Sequence, residues 1–460
     1  MRVDLLADAL DGVDEVLAVI AGADQALAGG LLRPQAAQAA GLVALAEAVA
    51  ASPLGAKVAE AAEKAAAGAA GEEHFVSLAA ARIALFGSVH DAVLARVEQA
   101  TGRGRGDAVV ALPSGGGQAE NLLLAARSWL TDLARAGWQG IDHDLVSGAE
   151  PVISALLPEP RLRRLAVLLD GFAAELAASC PGSALERIPV RRWGDLWSRA
   201  MLLTLPGAAE SSISTVSGRL LPLGVDLHEH ATAAQAQVHA VFEPADGGTP
   251  RLVRASVSAP KPDTIIGAGI WQLLRPHMSL LQAVSEGKAM ELTDMPITAE
   301  GDLVWADEHA KLGEAADPFV TARVVLPTAS TLPTAPLDRH PARIAVPVFL
   351  EGYTAEQGGE SLNVAGQSVA VDTDRVPVAG PLTPEAVATS NACIGLLRWD
   401  AGVFRVQPLA VETTVRKKTV ALHAGAWAGG AVDKAGVKAE KAATDAATVL
   451  RERAGRLLRK

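Results

Sequence analysis

A chain of 460 residues exceeds the length over which one hydrophobic core keeps growing, so two or three domains are expected. With 50% hydrophobic and 20% charged residues it is excluded from the disordered class, and a net charge of −11 excludes a generally basic, phosphate-neutralising surface. Eight Trp, seven Phe and one Tyr leave Ala, Leu and Val to build most of the core.

Two cysteines, Cys180 and Cys393, lie in opposite halves and near no other cysteine, which points to a reduced compartment and bystander roles. The first residues carry Asp4, Asp8, Asp11 and Asp14 in place of a basic leader, and no uncharged apolar run of about 18 residues occurs. The expectation is a cytoplasmic chain without a membrane span.

In chain order, Leu5, Leu6, Leu10, Val13, Val16, Leu17 and Ile20 recur at helical spacing, predicting a helix over 3–28 that ends at Gly29-Gly30. Pro34 opens a second helical run to about Ala51. Pro53 opens a third, with Glu60 and Lys64 as an i,i+4 pair. The longest helix is predicted over 72–101, closed by 102–106 (GRGRG), and others follow over 117–136, 149–157, 160–179 and 191–205. These describe an all-α region over 1–210, either a bundle or a solenoid-like array.

Two features of this half carry chemistry. Ser114-Gly115-Gly116-Gly117 runs into a helix, whose free N–H groups suit an anion, although the lysine of a phosphate-binding loop is missing. Over 191–203, Trp193 and Trp197 share a helix face flanked by Arg191, Arg192 and Arg199. Such a cluster suits a protein interface; the plainer reading is two tryptophans capping the helical core against the following region.

From about residue 211 the period becomes two. Residues 219–244 and 251–260 read as a long antiparallel hairpin, and 267–287 as a helical insertion. Strands are predicted at 290–305, 319–327, 342–349, 361–373, 393–399 and 402–415. Turns are expected at Ala365-Gly366 and Asp400-Ala401-Gly402. The fold class is therefore α+β and multidomain: an antiparallel β-barrel or sandwich over 211–430, with an OB-like barrel as one form, follows the helical domain. Residues 431–460 form a basic amphipathic helix.

Asp226, His228 and His230 alternate along one strand and would project from one face, with Val225 and Leu227 toward the core. Carboxylate and imidazole donors together suit a divalent metal such as zinc, iron or manganese. His239, at odd offset on the same hairpin strand, is expected to face away unless a bulge intervenes. The six residues VDLHEH (225–230) resemble the first-strand motif of amidohydrolases. That resemblance implies a metal held by His228 and His230 within a barrel of alternating strands and helices.

Residues 433–460 hold eight basic and four acidic side chains, whereas 1–210 hold 17 basic and 25 acidic. The tail is suited to an acidic partner, a nucleic acid, a membrane surface or the chain's own helical half. Three functions are expected in order: a non-enzymatic interaction or scaffold protein binding other proteins, without a cofactor; a metal-dependent hydrolase centred on Asp226, His228 and His230; and a nucleic-acid binder acting through an OB-like barrel and residues 432–460.

Overall fold

Gly12 cuts the first predicted helix in two. Its φ of +74° leaves helical space, so α1 (Asp4–Ala7) stops short and α2 (Val13–Gly29) restarts. The computed structural model describes residues 1–457 except 107–119, 209–212, 231, 263, 332, 357, 416–417 and 432. The Ser114–Gly117 loop lies outside the described residues.

Helices α3 (Ala36–Ala48), α4 (Gly55–Ala66) and α5 (Glu72–Thr101) follow the predicted order, as do α6 (Glu120–Ala136), α8 (Ala149–Leu156), α9 (Arg163–Ala178) and α10 (Val190–Leu203), with the short α7 (His143–Ser147) an addition to it. Asp142 accepts a hydrogen bond from the Leu145 N–H at 2.8 Å and starts α7; Gly102, at φ +71°, ends α5.

At 30 residues α5 is about 45 Å long. Its first half (Phe75, Leu78, Phe86) lies in the helical core, and its second half (Val89, Val93, Val97) lies in the core of the β region. By length and composition alone α5 suffices to cross a membrane, yet 67% of its apolar window is buried inside the protein.

Within the helical core Arg82 (1% exposed) meets Asp24 (2% exposed) through Nε–Oδ1 at 2.6 Å and Nη2–Oδ2 at 3.1 Å, tying α5 to α2. Trp193 packs edge-on to Trp138, centroids 6.0 Å apart, and Trp197 donates from Nε1 to the Leu130 carbonyl at 2.9 Å.

The β region contains two mixed sheets. The first is built from β1 (Ile213–Glu229), β2 (Ala233–Pro244), β3 (Arg251–Pro260), β4 (Lys288–Thr298), β5 (Asp302–Leu303) and β6 (Ala310–Ala315), with α11 (Gly269–Leu273) and α12 (Met278–Glu286) between β3 and β4. Residues 219–244 are thus two strands, turning at 230–233, where the His230 N–H meets the Ala233 carbonyl at 2.8 Å. β1 pairs with both β2 and β4, so the path β1–β2–β3–β5–β4 returns to β1.

After α13 (Pro318–Val324) the second sheet contains β7 (Val346–Glu351), β8 (Thr354–Ala355), β9 (Ser361–Val364), β10 (Gln367–Val371), β11 (Ser390–Asp400), β12 (Val403–Val415) and β13 (Lys418–His423), with α14 (Pro384–Ala388) before β11. Its order β7–β11–β12–β10–β9 repeats that of the first sheet, β1–β4–β5–β3–β2. In both, the third and last strands of the five are parallel (β3 with β5, β10 with β12), and helix separates the third from the fourth. The expectation of a purely antiparallel region fails at these two parallel pairs.

The strand expected at 319–327 is a helix instead. The Asp317 carboxylate accepts from the Phe319 N–H at 2.8 Å and Pro318 occupies the first turn, so capping outweighs the β-branched content. The two turns are found where expected, with positive φ at Ala365, Gly366, Ala401 and Gly402.

The final helix, α15 (Lys434–Leu457), rests on α11 of the β region, where Gln272 Nε2 donates to Thr444 Oγ1 at 3.0 Å.

Replacing Asp24 by Ala removes the close counter-charge of buried Arg82 and leaves only Asp195, at 3.7 Å. Urea unfolding should show a loss of about 3–5 kcal/mol; a loss below about 1 kcal/mol would mean that α2 and α5 are held by packing alone.

Candidate functional site

A polar face runs across β1, β2 and β3. In an antiparallel pair, residues opposite each other point to the same side. The register sets Asp226 against Gln237, His228 against Gln235 and Gly224 against His239; β3 adds Arg254 opposite His239 and Ser256 opposite Gln237. His239 therefore shares the Asp226 face, contrary to the sequence expectation. Offsets counted along the chain do not survive a hairpin whose paired numbers sum to an odd value.

The middle of this face is covered by the second sheet. Asp226 is 3% exposed. Its Oδ2 accepts from Arg398 Nη2 of β11 at 2.7 Å and lies 3.0 Å from His228 Nε2, while Oδ1 accepts from Gln407 Nε2 of β12 at 2.7 Å. Arg398 Nε also donates to Gln407 Oε1 at 2.6 Å.

Gly224 permits this closeness. A Cβ there would come within 2.7 Å of Leu409 Cβ on β12. Burial by itself would raise the Asp226 pKa, but His228, Arg398 and Gln407 together hold it well below the usual carboxylate range.

At one end the face opens into a cleft of about 360 Å³ between the end of β1 and residues 374–379. His228, with its side chain 31% exposed, and His230 line it, together with Glu229, Asp374 and Arg375. Glu229 is paired with Lys261 at 3.3 Å, and Lys261 Nζ also donates to the Ile265 carbonyl at 2.9 Å.

The three expected metal ligands therefore differ in setting. Asp226 is buried and engaged on both oxygens, His228 stands at the cleft mouth oriented by Asp226, and His230 is exposed. Among the described residues no group of three or more His, Cys, Asp and Glu side chains is arranged to hold a metal ion. The pairing that the geometry does provide is a carboxylate-oriented imidazole facing a cleft, an arrangement able to relay a proton.

At the other end the face is sealed. His239 is 1% exposed and its Nε2 has no partner among the described residues. Burial pushes its imidazole down to about 3, against the pull of Asp226.

The Trp/Arg cluster on α10 is divided. Trp193 and Trp197, each 1% exposed, are interior to the helical core. Arg199 is buried against Asp195 at 2.9 Å, Arg192 pairs with Glu175, and Arg191 is exposed while its carbonyl accepts from Arg82 Nη2 at 3.1 Å. The face that the two tryptophans share points inward, so they do not present a surface.

Sequence reasoning missed Arg398, Gln407 and Arg254. The signal was there for two of them: Arg398 interrupts an apolar run over 394–399 and Gln407 another over 406–411, and a polar residue inside a buried strand needs a partner. No protein family matches the chain, nor does any curated protein or solved structure.

Two measurements check this site. Asp226→Ala leaves Arg398 buried without its counter-charge, and urea unfolding should show about 3–5 kcal/mol lost, with a smaller loss when Arg398 is replaced by Met in the same chain.

An unfolded histidine takes up its proton near pH 6.5, whereas folded His239 resists protonation until about pH 3, so stability should fall as pH drops through that window. His340 and His423, each lowered to about 4 by burial, add to the fall. His239→Gln should flatten the slope between pH 6 and 4 by about 1.4 kcal/mol per pH unit. An unchanged slope would show that His239 is not held neutral.

Proposed function

We propose that this chain is a non-enzymatic binding scaffold: a helical platform joined to two β units, each an OB-like barrel, that presents surfaces to other proteins. The observation that carries the reading is the use made of Asp226. The carboxylate that most resembles chemistry at the sequence level is committed on both oxygens to Arg398 and Gln407 of the second unit, where it joins the two units. A metal would have to displace a buried guanidinium to reach it, at the cost of an uncompensated charge.

The shared strand order, with its parallel third and last strands and its helix before the fourth, supports an OB-like form repeated twice. The outward side chains of β2 and β3, Gln235, Gln237, Ser256 and Ser258, are polar and not aromatic, and the chain carries a net charge of −11. Stacking and phosphate neutralisation, on which single-stranded nucleic acid binding depends, find little support on that surface.

The test is metal content of the full chain, purified without a histidine tag and dialysed after loading with zinc, manganese or iron. Less than about 0.1 metal per chain is expected, on the ground that Asp226 is already saturated. Stoichiometric metal that disappears in a His228→Ala/His230→Ala double variant would overturn the scaffold in favour of a metal-dependent hydrolase. Salt-sensitive binding of single-stranded DNA, abolished by deleting residues 432–460, would overturn it in favour of nucleic-acid recognition.

A further inference from the structure

At the His239 end of the polar face lies a pocket of about 90 Å³, open to solvent on one side, where the helical half and the two β units meet. Its wall includes His90 of α5, His239 of β2, Arg254 of β3, Glu300 of the turn between β4 and β5, and Thr331 and Arg343 of the segment leading to β7. Four elements thus bring two imidazoles and two guanidiniums around one small space.

The arginines are only partly used. Arg254 donates from Nη2 to Asp302 at 2.8 Å and Arg343 donates from Nη1 to Asp338, and a guanidinium has five N–H groups. Their side chains, 35% and 48% exposed, mark the wet side of the cavity. His239 supplies a buried ring nitrogen, Nε2, without a partner among the described residues.

Behind the wall lies a further cation. Arg103 is 5% exposed and donates from Nη2 to the carbonyl of Pro347, itself a lining residue, at 2.7 Å. Its Nε has no partner, and no carboxylate pairs with it among the described residues. A buried guanidinium without a counter-charge is costly, and an anion held in the cavity would offset that cost.

We propose that this cavity binds inorganic phosphate. The space, about 90 Å³, admits a five-atom oxyanion. Arg254 and Arg343 face the oxyanion, His239 donates its ring N–H, and Thr331 adds a hydroxyl.

Glu300 decides which oxyanion. A carboxylate on the wall repels an anion that carries no proton, but accepts a hydrogen bond from one that does. Phosphate keeps a proton at neutral pH and sulfate does not, so the same wall that holds phosphate discriminates against sulfate.

The test is titration of the full chain with sodium phosphate and with sodium sulfate at pH 7 and matched ionic strength, read by calorimetry and by thermal unfolding. Phosphate should bind saturably at one site and raise Tm, and sulfate should bind at least about tenfold more weakly, the value of one charge-assisted hydrogen bond.

Arg254→Gln should weaken phosphate at least about tenfold. Arg343→Gln, at the more exposed guanidinium, should do the same without loss of fold and covers the case in which the first variant unfolds. Glu300→Gln should bring sulfate to within about threefold of phosphate. Equal, unsaturable responses to the two anions, or phosphate binding unchanged in both arginine variants, would overturn the proposal and leave the cavity to ordered water.

Discussion

The structure depends on one long helix serving two cores. α5 carries apolar residues on enough of its circumference, and is long enough, to complete the helical core with its first half and the β core with its second. The helical half and the β units are therefore not beads on a linker. Removing α5 from either side would expose Phe75 and Phe86 or Val89, Val93 and Val97, and burial of that surface contributes about 25 cal/mol per Å². The ion pair of Arg82 with Asp24 fixes the rotation of α5 within the helical core, and so determines which face it offers to the sheets.

With that geometry in place, Asp226 and His239 on the polar face of β1, β2 and β3 lie between elements, while Ser256 and Ser258 stay in water. Its three settings follow from what covers it. Where β11 and β12 press on it, Gly224 allows close contact and Asp226 becomes the bridge between the units. Where residues 374–379 stand off, a cleft remains in front of His228. Where α5 and the segment before β7 close over it, His239 is sealed beside Arg254. One strand alternation yields an ion pair, an open imidazole and a buried one, and the difference between them is solvent access.

Much of the local architecture was legible. Apolar residues three and four apart located the helices, and Gly and Pro located their ends, because both rules act within a few residues. The Gly12 break was not anticipated, since the apolar spacing continues across it. The strand expected at 319–327 yields to the Asp317 cap, a signal equally local. The candidate site was half legible: Asp226 and His228 do share a face and do meet, at 3.0 Å. What covers them was not, because Arg398 and Gln407 lie more than 170 residues away, and His239 changed sides once the hairpin register was known.

By itself the sequence determined the helical region, the change to alternating strands near residue 211, the hairpin turns and the charge of the last helix. These depend on propensity, periodicity and turn chemistry, which neighbouring residues settle among themselves. Only the tertiary structure decided that Trp193 and Trp197 face inward, that α15 rests on the β region, that two sheets repeat one strand order, and that Asp226 is a bridge. Each of these depends on which distant surface covers a side chain, and burial, not residue type, fixes whether a carboxylate or an imidazole is free to react.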